Sequence, residues 1–142
     1  RYDRTFMEGF IRPGTDPGNW ASRAGMTALG VVPTGSAELS IYKQAHYAQP
    51  TVHLLRYTIR TDGFVSVNAP YAGGEMLTKP FVFEGDTLVV NISTSAAGYV
   101  KVAVCDDAGK PLPGYTLDNA DEIVGDSIAH AVTWSGKTRL SK

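Results

Sequence analysis

Trp20, with Asn19 before it and Arg23 three residues on, opens a set of residue types suited to one kind of chemistry, and Tyr42, His46 and Tyr47 extend it. A pyranose ring offers apolar C–H faces that stack on aromatic side chains. Its hydroxyls need planar polar partners such as Asn, Arg and His, so a sugar site combines an apolar platform with a few fixed polar groups. Asn19, Trp20, Arg23, Tyr42, His46 and Tyr47 are therefore the candidate carbohydrate-binding residues. The competing role for Trp20 is packing, since large aromatics commonly fill cores. For Trp134 packing is the stronger reading: it shares the parity of Ile128 and Val132.

Other chemistries find less support. Glycoside hydrolysis needs two carboxylates facing each other roughly 5–10 Å apart across the scissile bond. Glu8, Asp16, Glu38, Asp62, Glu75, Glu84, Asp86, Asp106 and Asp107 nearly all fall in turn-like sequence, where acids are the ordinary solvated choice. No catalytic residue is assigned, and the chain on its own is expected not to be an enzyme. His46, His53 and His130 lack the paired spacing of a zinc site, and no metal ligand is assigned. Asp118, Asp121, Glu122 and Asp126 supply hard oxygens of the kind a structural calcium takes, but without the one-three-five spacing of a calcium loop. No cofactor is otherwise implied. Cys105, flanked by Asp106 and Asp107, lacks the electropositive setting of a reactive thiolate. Neither a Gly-x-Ser-x-Gly elbow nor a phosphate-cradling glycine loop occurs.

Composition narrows the partners. Across 142 residues, 43% are hydrophobic and 19% charged, which suits a folded core rather than a disordered chain. The net charge of −1 comes with no basic stripe or polybasic cluster, so neither nucleic acid nor a membrane surface is an expected partner. One cysteine excludes an intramolecular disulfide. A polysaccharide or oligosaccharide is the expected ligand.

These residues must be held by strands. Fifteen glycines and eight prolines punctuate short apolar runs, the rhythm of strands and turns. Period-two alternation is clearest in Thr87–Ser93 (Leu88, Val90 and Ile92 on one face) and Tyr99–Cys105 (Val100, Val102 and Val104). Gly63–Ala69, Pro80–Phe83 and Ile128–Trp134 alternate similarly. Earlier in the chain, Ala28–Val32, Glu38–Tyr42 and Val52–Arg60 read as strands, with at most one more around Phe6–Ile11. Thr61-Asp62-Gly63 breaks the last of the first-half strands and marks a boundary, giving segments 1–62 and 63–142. Strands about every ten residues with reversals between them predict an all-β fold, an antiparallel β-sandwich of jelly-roll or immunoglobulin-like type in the second segment.

Longer stretches carry a resemblance. They include Phe10-Ile11-Arg12-Pro13-Gly14 with Asn19-Trp20 and Arg23, Gly30-Val31-Val32-Pro33-Thr34-Gly35, Glu38-Leu39-Ser40-Ile41-Tyr42, His46-Tyr47 and Leu55 to Phe64. In the second half they are Ala72 to Pro80, Ser93 to Gly98, Pro113-Gly114-Tyr115, Gly125-Asp126 and Val132-Thr133-Trp134. Together they resemble the C-terminal part of bacterial glycoside-hydrolase-like five-bladed β-propeller proteins that end in a β-sandwich. The resemblance implies that 1–62 is a last propeller blade and 63–142 a sandwich module. It further implies a secreted, extracellular or periplasmic protein in which the catalytic acids lie upstream. The chain would then be a non-catalytic carbohydrate-binding or carbohydrate-associated module, or a structural accessory packed on a propeller. Members of that family continue into a further strand after the tryptophan strand. Without it the sandwich would keep an open sheet edge, and an open edge invites self-association.

Overall fold

The computed structural model describes residues 8–20 and 25–140. It is all-β: two antiparallel sheets of three and two strands, with no α-helix among the described residues. The chain divides into two compact units, Arg1–Phe64 and Val65–Lys142. Of the strand expected around Phe6–Ile11, residues 6 and 7 lie outside the described set and 8–11 form no strand.

The first unit is built on a hairpin. Strands β2 (Glu38–Ala45) and β3 (His53–Arg60) pair in full register from Glu38↔Arg60 to Ala45↔His53. Alternation puts Leu39, Ile41, Lys43 and Ala45 on one face of β2, and of these Ile41, Lys43 and Ala45 are buried. The other face carries a polar knot. Buried Ser40 accepts from Arg56 Nε at 2.8 Å and lies 2.6 Å from the Thr34 hydroxyl, while the same Arg56 pairs with Glu38. The strand expected at Ala28–Val32 lies at the sheet edge and is split. Met26–Ala28 bonds to β2 through Gln44 N→Met26 O and Ala28 N→Tyr42 O. Pairing resumes only in β1 (Val32–Pro33), opposite Ser40 and Leu39. Gly30, at φ 90°, kinks the chain between the two pieces. Pro33 has no N–H to donate, which an edge strand tolerates.

The second unit is organised around Trp134. Strands β4 (Val89–Ser93) and β5 (Asp126–Ala131) pair antiparallel with a register shift between Val90 and Ile92. Ala120, Ile123, Val132 and Trp134 form the buried centre, and Leu88, Val90, Ile92, Val100, Val102, Val104, Tyr115 and Leu140 pack on it. The expected strand Tyr99–Cys105 is extended but changes partner along its length. It meets Ile123 at Val100, Tyr115 and Leu112 at Val104, and Pro111 at Cys105. Trp134 is 1% exposed and donates its indole N–H to the Val102 carbonyl at 2.8 Å. Tyr115 meets its ring edge-on at 5.2 Å. A two-residue turn, Ser135-Gly136, follows. Both residues have positive φ (50° and 75°), and Trp134 and Lys137 exchange backbone hydrogen bonds across it. That is the geometry of a type I′ hairpin turn.

Two runs that alternate in sequence, Gly63–Ala69 and Pro80–Phe83, form no strand. Alternation equips a segment to pair, but a strand also needs a neighbour for its N–H and C=O groups. Among the described residues, the backbone bond between Gly73 and Pro70 is the only one within 65–83.

Removing Trp134 should be costly because it empties the centre of the second unit and orphans a carbonyl. Trp134→Ala is expected to lose about 3–5 kcal/mol. Trp134→Phe should lose roughly 1–3 kcal/mol from the Val102 carbonyl left without its donor. Urea unfolding followed by circular dichroism measures both; a loss below about 1 kcal/mol for the alanine variant would contradict this core.

Candidate functional site

The six candidate residues lie in the first unit, and the structure brings several of them to one end of β2. The loop 46–52 after β2 is shaped by two consecutive reversals, Gln49 N→His46 O and Val52 N→Gln49 O. His46 starts it in the left-handed region at φ 52°, a conformation His tolerates better than most residues. Facing this loop is a single 3₁₀ turn, Pro17–Asn19, with Asp16 as its N-cap. Asp16 accepts from Gly18 N at 2.9 Å, and Pro17 suits the first turn because its missing N–H would have no partner there.

His46 joins the two pieces. Its Nε2 lies 2.7 Å from Asp16 Oδ2, and its Nδ1 lies 2.7 Å from the Thr51 hydroxyl. Its backbone N–H donates to Asn19 Oδ1 at 3.3 Å, and Gln49 Nε2 donates to the Gly18 carbonyl at 2.6 Å. His53, first residue of β3, meets the His46 ring edge-on at 4.9 Å. Gly18 is required by closeness: a Cβ there would sit 2.6 Å from His46 Nε2. The hydrogen bond from His46, and after it the one from Gly18, hold the Asp16 carboxyl below its ordinary 3.8.

Asn19 and His46 therefore spend their polar atoms on the scaffold. Asn19 Nδ2 donates to the Pro13 carbonyl at 3.2 Å, and both His46 ring nitrogens are occupied. Trp20 and Tyr47 differ. Each directly follows one member of the bonded Asn19–His46 pair, and each is exposed, Trp20 to 68% and Tyr47 to 42%. Trp20 donates its indole N–H to the Gly14 carbonyl at 2.9 Å, so the ring is pinned by its edge while its surface stays open. Tyr42 is half-buried within β2. Arg23 lies outside the described residues.

Sequence reasoning placed Asp16 among solvated turn acids and gave no role to Thr51, Gln49 or Gly18. Asp16-Pro17-Gly18 was the one readable signal, a helix-start pattern. Thr51 and Gln49 carry none, because their partners lie across a loop whose course is set by the hairpin.

The acids of the second unit are also engaged. Asp121 Oδ2 accepts from Thr133 Oγ1 at 2.5 Å and from Gly136 N at 2.9 Å, which holds its carboxyl below the ordinary value. Glu122 pairs with Lys101 at 3.8 Å. Among the described residues no group of three or more His, Cys, Asp or Glu side chains is arranged to hold a metal ion. Nor is any helix there long and apolar enough to cross a membrane.

No family model matches the chain, and neither does any curated protein or solved structure.

The lowered Asp16 carboxyl gives a signed pH dependence. A carboxyl depressed by folding adds stability above its unfolded value near 3.8, and that stability is lost as pH falls through the lowered folded value. Asp16→Asn should thus lower the melting temperature at neutral pH, with the gap from the parent protein closing as pH drops from about 5 toward 2. A gap of constant size across that range would show that Asp16 is not held by His46.

Proposed function

We propose that the chain is a non-catalytic carbohydrate-recognition module whose stacking platform is Trp20, flanked by Tyr47. One observation carries this reading: a tryptophan ring anchored through its own N–H to Gly14 yet left mostly open to solvent. An indole with no ligand role would be expected to bury most of its large apolar surface. Fixing the ring before binding lowers the conformational entropy lost on association. Asp16, His46, Thr51 and Asn19 act beneath it as the frame. In this reading the second unit is a sandwich-like companion of a blade-like first unit, in a secreted protein whose catalytic part lies elsewhere.

The apolar run in the second unit favours a second, compatible role. Val65, Val67, Tyr71, Met76, Leu77, Phe81, Val82 and Phe83 are all exposed, and Phe81 and Phe83 stand 6.2 Å apart, ring to ring. Apolar surface on this scale marks a contact face. It is what an accessory module packed on a propeller would present.

Affinity electrophoresis against a polysaccharide panel tests the first role. Trp20→Ala should abolish retardation, a loss of roughly 1–3 kcal/mol or more for a stacked ring, while leaving the melting temperature within a few degrees. Retardation unchanged in Trp20→Ala would remove the platform. For the second role, Phe81→Ser with Val82→Ser should reduce binding of a hydrophobic dye without lowering stability. A large loss of stability would instead place these side chains in a core.

A further inference from the structure

Backbone pairing in the second unit stops abruptly at Asp86. Its carbonyl accepts from Leu140 N–H at 2.7 Å, and Thr87 bridges Arg139. Just before that point, the backbone of residues 80–85 forms no hydrogen bond among the described residues. The side chains there are equally uncommitted. Phe81, Val82 and Phe83 are 66%, 99% and 55% exposed, and the two phenylalanine rings touch only each other. Apolar, uncharged chain with open N–H and C=O groups is a template for strand pairing.

The sequence of the stretch indicates what fits it. Phe81-Val82-Phe83 reads the same in both directions. Two copies running antiparallel about a two-fold axis at Val82 set Phe81 opposite Phe83 of the second copy, and Val82 opposite its own equivalent. The aromatic pairs then share one face and the valines the other. Phe81 and Phe83 take the hydrogen-bonded positions, where each donates and accepts across the axis. Pro80 falls where an N–H would point away from the second strand, so its missing donor costs nothing. The area agrees. At about 150–250 Å² for an aromatic side chain and roughly 100 Å² for an aliphatic one, the eight exposed apolar side chains of 65–83 present on the order of 800 Å². A stable specific contact takes about 800 Å² from each partner.

We propose that the protein forms a two-fold dimer in which residues 80–83 of two copies pair as antiparallel strands centred on Val82. The inference goes beyond the readings above. It needs no glycan, and it gives the apolar face a second copy of the chain as its occupant in place of a propeller. The self-complementary register favours the copy, because a different polypeptide would place no demand on the symmetry of Phe81-Val82-Phe83.

Analytical ultracentrifugation of the parent protein from micromolar to millimolar concentration should show a monomer–dimer equilibrium. Val82→Lys sets two like charges opposite each other and should weaken the dimer about tenfold or more. Phe83→Pro removes a ladder N–H and should weaken it likewise. Both positions are exposed, so neither change should unfold the monomer. The register has its own test. Cα atoms of a non-hydrogen-bonded pair stand about 4.5 Å apart, within the span of a disulfide. Val82→Cys in a Cys105→Ser background should therefore link two copies when oxidised glutathione is supplied. Tyr99→Cys, exposed but outside the segment, should not. A parent protein that stays monomeric at millimolar concentration overturns the inference and leaves the face to a different partner. So does a dimer that both Val82→Lys and Phe83→Pro leave intact, or one that links equally through Tyr99→Cys. Should the variants fail to fold, hydrogen exchange on the parent decides. The amides of Phe81 and Phe83 should gain protection as concentration rises, and amides equally open at every concentration count against the pairing.

Discussion

The imidazole of His46 is the constraint on which the first unit's surface depends. A hydrogen bond at each ring nitrogen, to Asp16 and to Thr51, ties the 3₁₀ turn to the hairpin loop. Neither piece is stable alone: a three-residue turn has too few hydrogen bonds to offset its ordering, and the loop holds His46 and Ala48 in the left-handed region. Bonded together, they fix Asn19 and so the direction in which Trp20 leaves the turn. The glycine at 18 belongs to the same device, because it lets the turn come down onto the ring.

The legible part of the fold was the part governed by local periodicity. Val52–Arg60 alternates cleanly and is β3 almost end to end; Thr87–Ser93 contains β4. Alternation was misleading where pairing depends on something distant. Gly63–Ala69 and Pro80–Phe83 have the right pattern but no ladder partner among the described residues, while Tyr99–Cys105 finds three partial neighbours in place of one. The candidate site was legible in its exposed aromatics and opaque in its frame. Trp20 and Tyr47 announce themselves by type. Thr51 and Gln49 are ordinary polar residues until a loop carries them to His46 and Gly18. Asn19 and His46 were recognised as important for a contact role, whereas their polar atoms serve the scaffold.

The two units differ in how they solve the same problem. The first relies on a regular sheet with polar cross-ties, Arg56 to Ser40 and Glu38, and among its described residues the only buried apolar side chains are Ile41 and Ala45. The second has a small regular sheet and leans on one large ring, around which irregular chain is hung by single bridges. A sheet spreads its hydrogen-bonding over many residues and tolerates local change, whereas a structure centred on one side chain concentrates its risk there.

The Ser135-Gly136 turn shows where that concentration is relieved. Serine is not at ease with φ of 50°, and Asn-Gly is the pair such turns favour. The strain is held because Gly136 N is captured by the Asp121 carboxylate, which Thr133 also grips. The turn is therefore shaped from outside, by an acid fifteen residues before Gly136 in the chain, and not by its own sequence. The reversal and the Asp121 segment are therefore one coupled unit: whatever frees the Asp121 carboxylate also frees the turn that closes the chain behind Trp134.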